Sequence, residues 1–256
     1  MTILPYADLA QTAYPIAGDV VAVLPLAAIE SHGPHLPLGT DGIIVDGILA
    51  RAAVADGGRD RRVLRLPTLW LGASAEHADR PGTLSVEPES LIAQIVAVAE
   101  GLALAEVRRV ILFNGHGGNV AAAAIAALRL RTRFDMLAVN VHWLDFGLPP
   151  DFAAPGPMAA DVHGGWIETS AILHLAPQLV IRDAIAPAPP HSPAPMLFPS
   201  GPLAWGWKAN DLAAGGWIGR PDLAGSEIGK ALVDHAAEQL VRLLEEVAGA
   251  VWTGAS

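Results

Sequence analysis

The chain has 256 residues, 52% hydrophobic and 16% charged, with 16 Lys+Arg against 26 Asp+Glu and no cysteine. Such a length and apolar fraction suit a single domain over residues 1–256 with a sizeable buried core, and they exclude an intrinsically disordered chain. A net charge of −10 repels phosphate backbones and sets nucleic acid aside as a partner, and the missing cysteines exclude disulfides, thiolate nucleophiles and Cys-based zinc sites.

The N-terminal segment MTILPYADLAQTAYP lacks a basic region followed by a clean apolar core, so no secretory signal is expected and the cytoplasm is the expected location. The longest apolar runs, such as 120–128, fall short of the roughly 18 residues that span a bilayer, so no membrane partner is expected either. Residues 19–28, DVVAVLPLAA, form an apolar run that suits a strand buried on both faces of a sheet. The loop IESHGPHLPLGTD follows, with Glu30, His32, His35 and Asp41 separated by Pro and Gly. Residues 40–56 predict a helix with Thr40 or Asp41 as N-cap. The basic residues Arg59, Arg61, Arg62 and Arg65 read as a solvated turn, and 62–71 as a second strand.

A loop with Pro81 and Gly82 leads into a helix over 87–105. Residues 107–113, VRRVILF, give a third strand, NGHGGN a tight turn, and 120–131 an Ala-rich helix. Residues 134–143 give a fourth strand, and HGGWIETSAILHL turns into another helix. The Pro-rich stretch 186–202 reads as an irregular functional loop, and 224–247 as a long amphipathic helix. Strands alternating with helices predict an α/β fold with a largely parallel sheet.

In such a sheet, polar groups at the carboxyl ends of the strands converge on a ligand. The candidates are Glu30, His32, His35, Asp41, His116, Asp161, His163 and Glu168. Imidazoles and carboxylates without thiolates suit Zn²⁺, Mn²⁺ or Fe²⁺. The glycines flanking His116 and His163 permit sharp bends and close backbone approach. NGHGGN is no phosphate-binding Walker loop, because it lacks the Lys-Ser/Thr ending.

Taken together, LPLAAIESHGPHLPLGTD, FNGHGGN and DVHGGWIETS resemble the signature blocks of the creatininase family of metal-dependent hydrolases, and EHADRPGTLSV and GGWIGRPDLAGSEIG agree with it. The blocks run in the family's order from residue 24 to residue 229. The resemblance implies a three-layer α/β/α sandwich, two divalent ions per subunit and a homo-oligomer, often a hexamer. It implies that Glu30, Asp41 and His116 hold one ion. His32, a shared Asp41 and an acidic residue would hold the other. Creatininases proper carry that acid two residues after the His of NGH, where this chain has Gly118; Glu168 is the candidate replacement. His163 takes the place of the family's catalytic histidine, as general acid, general base or oxyanion stabiliser.

A tryptophan that grips substrate in creatininases proper is replaced by Ala159. The implied reaction is cleavage of a non-peptide amide or cyclic amide in a small molecule other than creatinine, by a hydroxide bridging the two ions. Trimming of a precursor peptide of the mycofactocin type, and a metal-dependent isomerase or lyase, are the alternatives. His35, His77, Trp143 and Trp166 are candidates for substrate contact, with bracing of its loop the equal alternative for His35; Trp205, Trp207 and Trp217 are candidates for pocket walls, although burial in the core is the commoner case for all five tryptophans. Asp161 is expected to support a ligand histidine from behind. His142, His174, His191 and His235 are expected to be structural or solvated.

Overall fold

The computed structural model describes residues 2–13, 20–55, 62–201 and 203–251. Asp19, Asp56, Arg59, Arg61 and Pro202, which enter the expectations above, lie outside the described residues.

The elements run β1 (Thr2–Pro5), β2 (Val21–Leu26), α1 (Thr40–Ala55), β3 (Arg62–Arg65), α2 (Pro88–Leu104), β4 (Arg109–Asn114), α3 (Val120–Phe134), β5 (Leu137–His142), α4 (Trp166–Leu175), α5 (Ala209–Leu212) and α6 (Ser226–Gly249), joined by short 3₁₀ turns. The strands form a five-stranded sheet in the order β1-β3-β2-β4-β5, every pair parallel.

Both faces of the sheet are covered. Val21, Val23, Ile111 and Phe113 pack against α1, α4 and α6, while Ala22, Leu24, Val110 and Leu112 pack against α2 and α3. Successive strand side chains point to opposite faces, so a strand covered on both sides must be apolar throughout. This is why β2 reads as an unbroken greasy run. Pro25, with no N–H to give, lies past the last residue of β2 that pairs with β3.

Several boundaries differ from expectation. Thr2–Pro5 is an edge strand beside β3, a segment too short for its alternation to be read. The second strand stops at Arg65 instead of residue 71, because Pro67 removes a ladder donor; only an isolated bridge, Leu26 to Leu69, continues the pairing. Neither proposed N-cap side chain caps α1. The Thr40 hydroxyl donates to the Pro37 carbonyl, and the Asp41 carboxylate is turned toward His32. No helix among the described residues is long and apolar enough to cross a membrane.

The chain runs from β2 to β3 on one side, then crosses back to β4 on the other side of β2. Ligands in open α/β sheets bind where the strand order reverses in this way, outside the carboxyl ends of the strands. Leu26 and Asn114 are register partners at those ends, and the Gly115 N–H donates to the Leu26 carbonyl at 2.8 Å. The loops carrying Glu30 and His116 therefore leave the sheet side by side.

Candidate metal centre

The loop after β2 is held at several points by its backbone. The Glu30 N–H donates to the Leu38 carbonyl, the Leu84 N–H to the Ile29 carbonyl, and the Ser31 N–H to Thr83 Oγ1. Asn114 and Asn119, unassigned in the sequence reading, pin the turn after β4. Asn114 Nδ2 donates to the His116 carbonyl and its Oδ1 accepts the His116 N–H. Asn119 Nδ2 donates to Ala27 O, and its Oδ1 accepts the Ala73 N–H. Two loops far apart in sequence are thereby fastened around one buried space.

Into that space point Glu30, His32 and His77, at most 1% exposed, with Asp41 (1%), His116 (4%) and His163 (6%). His116 Nδ1 is 3.1 Å from Glu30 Oε1 and 3.4 Å from Asp41 Oδ2. His32 Nε2 is 3.0 Å from Asp41 Oδ1, 3.8 Å from Glu30 Oε1 and 3.9 Å from Glu168 Oε2. His163 Nδ1 and His77 Nε2 lie 3.7 and 3.9 Å from Glu30 Oε1. The donor atoms fall into three groups: Glu30 with Asp41 and His116, His32 with His163 and Glu168, and Glu30 with His77 and His163.

A carbonyl oxygen can only accept, so each ring nitrogen facing one must carry the hydrogen. His32 Nδ1 faces Glu30 O at 3.1 Å, His116 Nε2 faces Ala73 O at 3.1 Å, and His163 Nε2 faces Ser31 O at 2.7 Å. Each ring thus spends its outward hydrogen on the backbone and aims its other nitrogen inward. Such outward partners are how proteins orient metal-ligating imidazoles. Meanwhile Glu30 Oε1, Glu30 Oε2 and Asp41 Oδ2 are buried without a hydrogen-bond partner. Buried carboxylate oxygens require a cation or a proton beside them. The donor set fits divalent cations on these grounds.

Electrostatics agree with that reading. Burial pulls His32 and His116 down, but Asp41 beside the first and Glu30 beside the second overcome it, and both are pushed up to about 10. Burial raises the Asp41 carboxyl to about 6. Burial also pushes Glu30 up, but His116, His163 and His32 together hold it well below the usual carboxylate range. Burial and the neighbouring His32 lower His163 to about 4, which keeps it neutral. Burial and His163 lower His77 to about 2.

Glu168 stands in the first turn of α4, where its Oε2 accepts the Gly164 N–H at 2.6 Å and faces His32. His163 precedes that helix in the loop. His77 comes from a 3₁₀ turn, Ala75–His77, and its ring stacks on His163 with centroids 4.0 Å apart, so it reaches the cluster within its own chain.

The remaining candidates sit as follows. His35 Nε2 lies 3.0 Å from both the Gly164 carbonyl and Thr169 Oγ1, contacts that brace its loop against the segment that carries Glu168. Trp143 and Trp166 are 2% and 1% exposed in the core, Trp166 stacked on Phe152. Asp161 supports no histidine. It accepts the N–H groups of Trp166 and Ile167 and so caps α4, and burial raises its carboxyl to about 6. Of the other tryptophans, Trp207 stands edge-on to His77 and Trp217 edge-on to His35, while Trp205 packs with Ala209, Leu212 and Ile218. Glu76 was missed altogether; its Oε1 lies 3.5 Å from His116 Nε2. Only its neighbour His77 carried a signal.

Comparison with known proteins supplies a family. The profile described as Creatininase: Creatinine amidohydrolase matches residues 7–244. A mycofactocin precursor peptide peptidase of Mycolicibacterium smegmatis (strain ATCC 700084 / mc(2)155) is 34% identical over 169 residues, which is 64% of this chain and 62% of that protein. The chain thus spans somewhat less than two thirds of that relative. A creatinine amidohydrolase of Pseudomonas putida is 30% identical over 203 residues, 73% of this chain and 76% of that one. Among solved structures, a Mn creatininase superposes with a TM-score of 0.79 at 24% identity, covering 97% of this chain and 99% of the other, a likeness of fold.

Proposed function

Because the chain belongs to the creatininase family, we propose that it is a divalent-metal-dependent hydrolase of an amide-type C–N bond. In this reading Glu30, His32, Asp41, His116 and Glu168 would hold two ions, and His163 would carry protons. One observation carries it: three inward-facing imidazole nitrogens surround carboxylate oxygens that are buried and have no hydrogen-bond partner. Bound there, the ions supply the Lewis acidity that ionises a water near neutral pH and polarises a carbonyl.

The chain's own groups supply the rest. The Ser31 carbonyl fixes the hydrogen of His163 on Nε2, which leaves Nδ1 bare toward the centre. A neutral His163 therefore accepts a proton at Nδ1 first and then delivers it to the leaving nitrogen. His32 and His77 flank its ring at 4.2 and 4.0 Å and limit its rotation.

For substrate, we favour a small amide or cyclic amide other than creatinine, since Gly118 and Ala159 stand where the family resemblance calls for an acid and a tryptophan. The 34% identity to a precursor-peptide peptidase supports a second reading, trimming of a peptide. Purified protein loaded with Zn²⁺ or Mn²⁺ and offered creatinine, N-formyl compounds, cyclic amides and short peptides tests both. Products whose summed mass exceeds that of the substrate by one water support hydrolysis. Products of unchanged mass, or a protein that takes up no divalent metal, overturn it.

A further inference from the structure

Gly118 has no positive φ, so its backbone conformation does not demand glycine. Space does. A Cβ at 118 would lie 2.3 Å from the Ala73 carbonyl oxygen and 2.5 Å from both Glu76 Oε1 and His116 Nε2. The missing side chain leaves a gap through which the segment 73–76 closes on the outer edge of the His116 ring.

That segment is fixed by its own bonds. The Ala73 N–H donates to Asn119 Oδ1 and the Ser74 N–H to Ser85 Oγ. On His116 Nε2 it converges three oxygens: Ala73 O at 3.1 Å, Ser74 Oγ at 3.3 Å and Glu76 Oε1 at 3.5 Å. The same turn sends the next residue, His77, to the other side, 3.9 Å from Glu30 Oε1. Glu76 belongs to none of the groups whose atoms converge as ligands.

Resting on the metal reading above, we propose that Glu76 is a positioning residue of the metal centre, acting on the ligand nitrogen of His116 through the opposite edge of its ring. The Ala73 carbonyl holds the Nε2 hydrogen, and a carboxylate beside that edge of a ligating imidazole helps to aim it and increases its basicity. In this chain the carboxylate on the Nε2 side of His116 is delivered from the loop after β3, into the room that Gly118 leaves.

The full-length protein decides the matter with Co²⁺ as probe, since its visible spectrum reports ligand geometry. Glu76→Ala is expected to weaken Co²⁺ binding by about 10- to 100-fold and to shift the spectrum. The melting temperature of the metal-free protein should stay as in wild type. Glu76→Gln keeps the shape without the charge and should weaken binding as well; it decides the case if the Ala variant does not fold. Glu76→Asp should recover part of the loss. Affinity and spectrum indistinguishable from wild type in Glu76→Gln overturn this inference alone. A wild type that binds no Co²⁺ overturns the metal reading and this inference with it.

Discussion

His163 lies between two other imidazoles, His32 and His77, with its Nε2 hydrogen committed to Ser31 O and its Nδ1 bare. This arrangement, one nitrogen held and the other bare, sets it up to move protons at Nδ1. His163→Ala should lower turnover by about 10²- to 10⁴-fold, the usual reach of general acid–base catalysis. Bound metal, counted by elemental analysis, should be unchanged; an unaffected rate would remove the role. The ligands themselves predict a pH dependence. Without a cation, His32 and His116, both pushed up to about 10, carry a proton at neutral pH. Ligation requires bare nitrogens, so metal displaces those protons. Affinity should therefore tighten as pH rises from near 6, where Asp41 is also ionised, toward 10. Calorimetric titration in buffers of different ionisation enthalpy measures the protons released. Pure uptake of metal with none released would contradict the assignment of His32 and His116.

Among the elements, α4 brings Glu168 to the site in its first turn, as α1 brings Asp41. Its position is set from below by α6. A Cβ on Gly229 would lie 1.8 Å from the Ser170 carbonyl oxygen, so the two helices touch backbone to backbone there. The Gly225 N–H also donates to Ser170 Oγ at 3.0 Å. Overpacking a tight seam costs typically 1–3 kcal/mol, and Gly229→Ala, which meets backbone, should reach at least about that range. The check is denaturant unfolding together with metal stoichiometry. Loss of stability accompanied by weaker binding of one ion is expected, since α4 must shift and take Glu168 with it. Unchanged stability would mean that the seam is looser than this contact distance implies.

For the whole molecule, the centre gathers groups from the loops after β2, β3 and β4 and from the starts of α1 and α4. No unfolded chain holds those groups together, so a bound ion stabilises only the folded state. Metal at about a hundred times its dissociation constant should add about 2.7 kcal/mol. For a chain of this size that raises the melting temperature by roughly 5–10 °C, and chelation should reverse the rise. A melting temperature indifferent to Zn²⁺, Mn²⁺ and chelator would count against a built centre. The sequence by itself determined the alternation of strands and helices, because burial on both sheet faces leaves apolar runs such as VAVLPL. It also offered the candidate ligands of the proposed centre, because Glu30, His32, Asp41 and His116 sit in short motifs. It did not reveal the edge strand Thr2–Pro5, whose partner lies in β3. Only the tertiary structure turned His35 into a brace, buried Trp143 and Trp166 in the core, and brought Glu76 to His116. Only it assigned each imidazole its hydrogen, through the carbonyls of Glu30, Ala73 and Ser31. The reason is physical: motifs and periodicity are local, whereas a carbonyl aimed at a ring, or a gap left by a glycine, exists only once distant segments have packed.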